Sequence, residues 1–312
     1  MASYSFPGYL VALGTRTSRT LIVEGPDDKK VVAGLIRRFE ILGVLRAKKV
    51  VVDTADMIEG PVGVCGNRAI VEAVHAEATR LGIDLFALVD REFRDFVFGP
   101  PVTDSIEDHY IANSNLMWTR GHSVENYGFH KATIETFLSR IVPEHVDGDM
   151  SEQAVAVVPH LLRWSAALSI SCARQQVLTR CNKALSLASW DVDASGTPVL
   201  NFGVVRAQII ARGVSAPEAD MILAETRIFE QDMRQGATDV SRWISHGHIG
   251  SNGLWSGVAK VLASAGVNSS VAQEIATAHR DAKVRIGAEI WGDQVKAGQV
   301  KMPQCFLDWL KQ

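Results

Sequence analysis

Apolar and polar positions alternate between two periods in the first third of the chain. Thr20-Leu21-Ile22-Val23 is a short β-branched run stopped by Glu24-Gly25-Pro26, the signature of a buried strand followed by a turn. After Asp27 and Asp28, the residues Val31, Val32, Leu35, Ile36 and Phe39 recur at helical spacing. An Asp here is a good helix N-cap, and both carboxylates suit the positive helix start. Lys49 to Asp53 reads as a second strand. Asn67 to Leu81 reads as a second helix, with Ile70, Val71, Val74 and Ala78 on one face. Leu85 to Asp90, apolar up to its last residue, is a third strand of the kind covered on both faces. This alternation predicts an α/β fold with a parallel sheet flanked by helices. Right-handed crossovers then place the loops at Glu24 and Asp90 on one sheet edge.

The pattern changes from Asn115. Leu116-Met117-Trp118 reads as a short strand, and Ser123 to Tyr127 follow a turn at Gly121. Lys131 to about Lys183 reads as helices, one broken or started by Pro159. Ala188 to Gly203 reads as turn-rich, and further helices are expected around 216–235 and 256–264. The expected division is an α/β domain over about 1–130 and a mainly helical region over 131–312 for docking and oligomerisation.

Composition narrows the picture. At 47% hydrophobic and 21% charged, the 312-residue chain can bury a core, which excludes wholesale disorder. Its 32 Lys and Arg against 35 Asp and Glu exclude a globally basic nucleic-acid binder but leave room for a local basic groove. No apolar run reaches the roughly 18 residues of a membrane span. The N-terminus lacks the basic lead of a secretion signal, so a cytoplasmic protein is expected. Cys65, Cys172, Cys181 and Cys305 form no C-x-x-C pair and read as reduced thiols. No G-x-x-x-x-G-K-[ST] occurs, so any ATP chemistry belongs to a partner. Most tryptophans read as core or interface.

The candidate chemistry is acidic. Glu24 closes the first strand and Asp90 the third, Glu92 follows two residues later, Asp28 lies one helical turn beyond Glu24, and Glu125 lies in the next segment. Converging carboxylates repel unless cations or protons share the site. Hard oxygen ligands suit Mg²⁺ or Mn²⁺, and such ions support phosphodiester cleavage. The alternative is that Asp27 and Asp28 only stabilise a helix start and that Asp90 and Glu92 are solvated turn residues.

Leu21-Ile22-Val23-Glu24-Gly25-Pro26-Asp27-Asp28 resembles the first motif of the Toprim fold, and Ala87-Leu88-Val89-Asp90-Arg91-Glu92-Phe93 the second, with Glu92 where that family usually carries Asp. His122-Ser123-Val124-Glu125-Asn126-Tyr127 resembles a Glu-Asn-Tyr signature of a Toprim subgroup related to the overcoming-lysogenisation-defect (OLD) nucleases. Trp243-Ile244-Ser245-His246-Gly247-His248 is similar to a Gly-His element of the same subgroup. The subgroup includes the AriB-type effectors of the PARIS anti-phage system, which work with an ABC-type ATPase, AriA. The resemblance spans residues 20 to 250. It implies a Toprim-like domain and a divalent-metal-dependent nuclease. It puts acid–base chemistry or metal binding on Glu24, Mg²⁺ binding on Asp90 and Glu92, and a second metal position on Asp28 and Glu125. It also implies a toxic effector held silent by the ATPase, released on phage sensing, acting on tRNA and oligomeric when active. Segment 240–250 is then expected to return to the active site.

Lys29 and Lys30, just after the first motif, are candidates to neutralise a substrate phosphate. His246 and His248, two residues apart on a strand or loop, are candidates to hold phosphate or position a water. Arg91 and Arg94 flank the second motif, whereas Arg37, Arg38 and Arg46 read as solvated helix charges. Two other readings stay open: an OLD-type DNA nuclease, and a weakened Toprim module that only binds.

Overall fold

The computed structural model describes residues 4–45, 50–106, 110, 112–235 and 239–311. Arg46, Lys48 and Lys49 lie outside the described residues. The chain forms two compact units: the first comprises Met1–Arg91, Ile106–Val124 and Ala288–Gln312, the second Glu92–Ser105 and Glu125–Gly287.

The first unit is built on five strands: β1 (Arg19–Val23), β2 (Val50–Thr54), β3 (Leu85–Val89), β4 (Ala112–Asn113) and β5 (Leu116–Trp118), in the order β2-β1-β3-β5-β4. All neighbouring pairs are parallel except β4 with β5. Leu21 lies opposite Phe86 and Val89 opposite Trp118, so β1, β3 and β5 end on the same edge, as the crossover rule requires. The connections leaving β1 and β3 travel to opposite sides, making the carboxyl ends of these two strands a switch point where α/β folds open a crevice.

Three helices accompany this sheet: α1 (Phe6–Thr15), α2 (Pro26–Ile41) and α3 (Asn67–Arg80). Ile22, Leu85, Ala87 and Val89 form one core with Tyr9, Leu10 and Leu13 of α1 and Ile70, Val71, Val74 and Ala78 of α3. On alternate positions Leu21, Phe86 and Leu88 are equally buried. Phe86 meets Phe306 and Trp309 of the terminal helix Gln304–Lys311 edge-on or tilted, at 4.9 and 5.2 Å. Trp309 Nε1 donates to Asp84 Oδ1 at 2.6 Å. Burial of every residue of β3 explains its continuous apolar sequence.

Helix α1 escapes the sequence pattern because its polar anchor is distant. Tyr9 Oη donates to Asp53 Oδ2 at 2.9 Å, and Arg16 pairs with the same oxygen. Asp53 is buried, so these two donors compensate a carboxylate removed from water. Burial first, then the Asp53 charge, push the Tyr9 hydroxyl far above the usual phenol range.

The second unit is mostly helical: α4 (Lys131–Ile141), α5 (Gly148–Ala156), α6 (Val158–Arg174), α7 (Phe202–Ile210), α8 (Ala216–Gln235), α9 (Val240–Ile244), α10 (Gly247–Ser264) and α11 (Ser269–Thr277). Pro159 stands in the first turn of α6, where its missing N–H costs nothing. Residues 148–174 are apolar enough over an 18-residue window to pass as a membrane span, contrary to the expectation from apolar runs. That window is 67% buried in the fold, as in a core helix, and α5 ends at Ala156 before α6 begins.

Two elements differ from the sequence pattern. The stretch read as turn-rich contains an antiparallel hairpin, Trp190–Val192 with Pro198–Leu200. Its strands are too short to display a period of two, and Asp193 Oδ1 closes the turn by accepting the Ser195 and Thr197 N–H groups at 2.8 and 3.0 Å. Helix α10, expected from Ser256, starts at Gly247. Its glycines lower helix propensity, but they admit α6: a Cβ at Gly253 would lie 2.1 Å from Ser165 Oγ, and one at Gly257 2.2 Å from Leu161 Cδ2. All four cysteines are free, Cys172 and Cys181 buried, Cys65 and Cys305 exposed.

Candidate metal centre

Helix α2 positions the first acidic pair. It begins at Pro26, so Asp27 and Asp28 lie inside its first turn and are not its N-cap, which is Gly25. Asp28 Oδ2 accepts the Gly25 N–H at 2.8 Å, satisfying one of the orphan donors of the helix start. This bond also holds the Asp28 carboxylate beside the end of β1.

Glu24 and Asp90 follow neighbouring parallel strands. Glu24 Oε1 accepts the main-chain N–H of Asp90 at 2.8 Å, tying the two strand ends together. Asp90 Oδ1 in turn accepts the Val124 N–H at 3.2 Å. Glu125 is the next residue after Val124, so a contact of the Asp90 carboxylate fixes the backbone that carries Glu125. One ligand oxygen each of Asp28, Asp90 and Glu125 lies within 4.8 Å of the others, and all three residues are half-buried. This is the one group of metal-ligating side chains so gathered among the described residues. Three carboxylates at this spacing carry a charge that only a cation or protons can compensate, and an all-oxygen donor set fits Mg²⁺ or Mn²⁺.

The triad includes neither Glu24 nor Glu92. Glu24 stands beside it through the Asp90 main chain. Glu92 belongs to the second unit and has φ +55°, the left-handed region that costs a non-glycine residue free energy. Arg91, read as part of a basic cluster, is fully buried. Its Nη1 donates to Arg120 O at 2.9 Å and its N–H to Thr119 Oγ1 at 2.9 Å, so it braces the loop after β3. Arg38, read as a solvated charge, is bidentate to Asp293 at 2.8 and 2.9 Å. Lys29 and Lys30 are exposed on α2.

Within the second unit, residues 126–127 and 242–245 form one buried assembly. Asn126 Nδ2 donates to Arg242 O at 2.6 Å and to Ser245 O at 2.8 Å. Arg242 answers with Nε to Asn126 O at 3.1 Å and Nη2 to Tyr127 O at 3.0 Å. The Tyr127 and Trp243 rings meet edge-on at 5.4 Å. Of the Glu-Asn-Tyr signature, Asn126 and Tyr127 are therefore joints, and Glu125 alone offers a carboxylate to the triad. Arg242 was missed by sequence reasoning: its partners are 115 and 116 residues away, and its only local signal is its place just before Trp243.

The two histidines, expected on a strand or loop, lie at a helix start instead. His246 is the N-cap residue of α10 and His248 stands in its first turn, with ring centroids 5.6 Å apart. The His246 N–H donates to Ser169 Oγ at 3.1 Å. His248 is exposed.

Two imidazoles in this unit are held neutral. Burial, then the Arg242 charge, bring His130 down to about 4. Burial, then His248, bring His246 down to about 4. His130 Nδ1 also accepts the Ala132 N–H at 3.2 Å as the cap of α4, which only an unprotonated nitrogen can do. In the unfolded chain both rings take up protons near the ordinary 6.5. Stability is therefore complete above that value and is lost as pH falls through the window down to about 4. The urea midpoint is expected to be lower at about pH 5 than at about pH 7. His130→Asn, which keeps a capping oxygen and removes the titration, is expected to narrow that gap; an unchanged gap would show that His130 does not contribute to it.

Compared with known proteins, the chain matches no family model and no curated protein.

Proposed function

We propose that the chain is a divalent-metal-dependent nuclease of Toprim type, an RNase acting on tRNA as the toxic effector of an anti-phage system under an ABC-type ATPase. The observation that supports the metal chemistry is the gathering of Asp28, Asp90 and Glu125 oxygens within 4.8 Å at the carboxyl edge of a parallel sheet, where α/β folds place their ligands. The tRNA substrate, the ATPase partner and the oligomeric active form come from the motif resemblance.

In this reading Asp28, Asp90 and Glu125 hold Mg²⁺ or Mn²⁺, which when bound supplies the Lewis acidity that activates water and stabilises a leaving oxygen. Glu24, bonded to the Asp90 main chain, orients the ligand loop and, in this reading, takes a proton from an attacking water. Glu92 contributes a further carboxylate. Lys29 and Lys30 neutralise substrate phosphate, and His246 and His248 contact the scissile group.

Titration calorimetry with Mg²⁺ and Mn²⁺, followed by incubation with tRNA and with plasmid DNA, tests the proposal. Metal binding with tRNA cutting supports it, plasmid cutting transfers the activity to DNA, and metal binding without either leaves a binding module. Glu24→Gln is expected to lower cleavage at least about 100-fold, the lower range for losing a general base, with metal affinity and melting temperature nearly unchanged. Full activity in a folded Glu24→Gln protein would remove Glu24 from the reaction.

A further inference from the structure

The second unit carries a groove of about 490 Å³ lined by Trp164, Arg227, Glu230, Gln231, Arg234 and Gln235, apart from every residue given a role above. Arg227, Gln231 and Arg234 are spaced four and three residues apart on α8, so they share one face, and all three are exposed. The seven-residue step from Arg227 to Arg234 spans roughly 10 Å along the helix.

The guanidinium groups are held ready for a ligand. Arg227 stacks over the Phe202 ring, 3.9 Å from its centroid, and has no carboxylate within ion-pair distance among the described residues. Stacking fixes the guanidinium plane and leaves its edge donors outward. Arg234 Nε is bound to both oxygens of Glu230 at 2.8 and 2.9 Å, and Arg163 Nε reaches the same carboxylate at 3.5 Å. Glu230 is buried and acts as the fixed post of this pair. Among the lining residues two guanidinium groups, Arg227 and Arg234, stand against the single carboxylate of Glu230, which leaves surplus positive charge in a concave surface that Trp164 also lines. Gln231 and Gln235 add neutral donors and acceptors along the same face. An anionic, extended and hydrogen-bonding ligand matches this arrangement, because forked guanidinium donors fit phosphate oxygens.

We propose that this groove binds the sugar–phosphate backbone of the nucleic-acid substrate. The proposal rests on the nuclease reading and extends it by assigning substrate affinity to α8. Phosphate contacts supply affinity and salt dependence without reading sequence.

The test uses the full chain carrying Asp90→Asn, to suppress cutting, with Mg²⁺ present and a fluorescein-labelled tRNA transcript followed by anisotropy at several salt concentrations. Adding Arg227→Glu and Arg234→Glu is expected to weaken binding at least about tenfold and to make the logarithmic salt slope shallower by about two. Arg227→Glu with Gln231→Glu leaves the Arg234–Glu230 pair intact and is expected to weaken binding in the same direction, which covers the case in which the first pair unfolds. Arg206→Ala, which breaks an exposed pair with Asp220, is expected to change nothing. If wild type cuts tRNA and the parent binds it while both folded groove variants keep its affinity and slope, the groove assignment fails alone. If wild type neither cuts nor binds nucleic acid, the nuclease reading fails and takes the groove with it.

Discussion

Asp90→Ala is expected to abolish metal-dependent cleavage and to do more than Glu24→Gln. Asp90 has two duties. One carboxylate oxygen joins Asp28 and Glu125 within 4.8 Å, and Oδ1 accepts the Val124 N–H that precedes Glu125. Alanine removes both, a ligand and the bond that places the next ligand. Changing groups around a metal ligand alone costs about 10–100-fold in affinity or activity, so loss of the ligand itself is expected to exceed that. Asp90→Asn separates the duties: its amide oxygen still accepts from Val124, while the ligand charge is gone. Calorimetry with Mn²⁺ is expected to show weakened binding for both variants, with the melting temperature falling more for alanine. Undiminished Mn²⁺ affinity in a folded Asp90→Asn protein would mean that the triad is not the metal site.

The second large effect is on stability. Asp53→Ala is expected to destabilise the fold by about 3–5 kcal/mol, the usual range for removing one partner of a buried pair. The loss is high because Tyr9 and Arg16 would keep their burial without the carboxylate that compensates it. It also releases α1 from the sheet, since Asp53 stands on β2 and both donors stand on or just after α1. Urea unfolding followed by circular dichroism measures it. An Asp53→Leu, Arg16→Met, Tyr9→Phe triple variant, which removes the polar groups together, is expected to recover much of the loss. A loss below about 1 kcal/mol for Asp53→Ala, the scale of an exposed pair, would show that the network is solvated.

The sheet was legible in the chain for a physical reason. A strand covered on both faces must be apolar throughout, and a helix crossing over it must be apolar on one stripe, so β1, α2, β2, α3 and β3 each write their surroundings into a short window. The positions of Glu24 and Asp90 followed, because parallel neighbours with right-handed crossovers end on one edge. Helix α10 was legible only in its second half, because glycines such as Gly253 and Gly257, which serve a close helix contact, look like a loop when the partner helix is out of view.

What the chain determined by itself was therefore local: which segments are strands or helices, and that acidic side chains terminate two parallel strands. Tertiary structure decided which acids meet. It drew Asp28 into the triad through a capping bond to Gly25, brought in Glu125 through the Val124 N–H, and left Glu24 and Glu92 outside it. It also joined Asn126 to Arg242 across 116 residues, a pairing with no trace in any window of the sequence. Periodicity records the side of an element that faces away from water, whereas the meeting of polar groups far apart in the chain depends on how the elements are stacked.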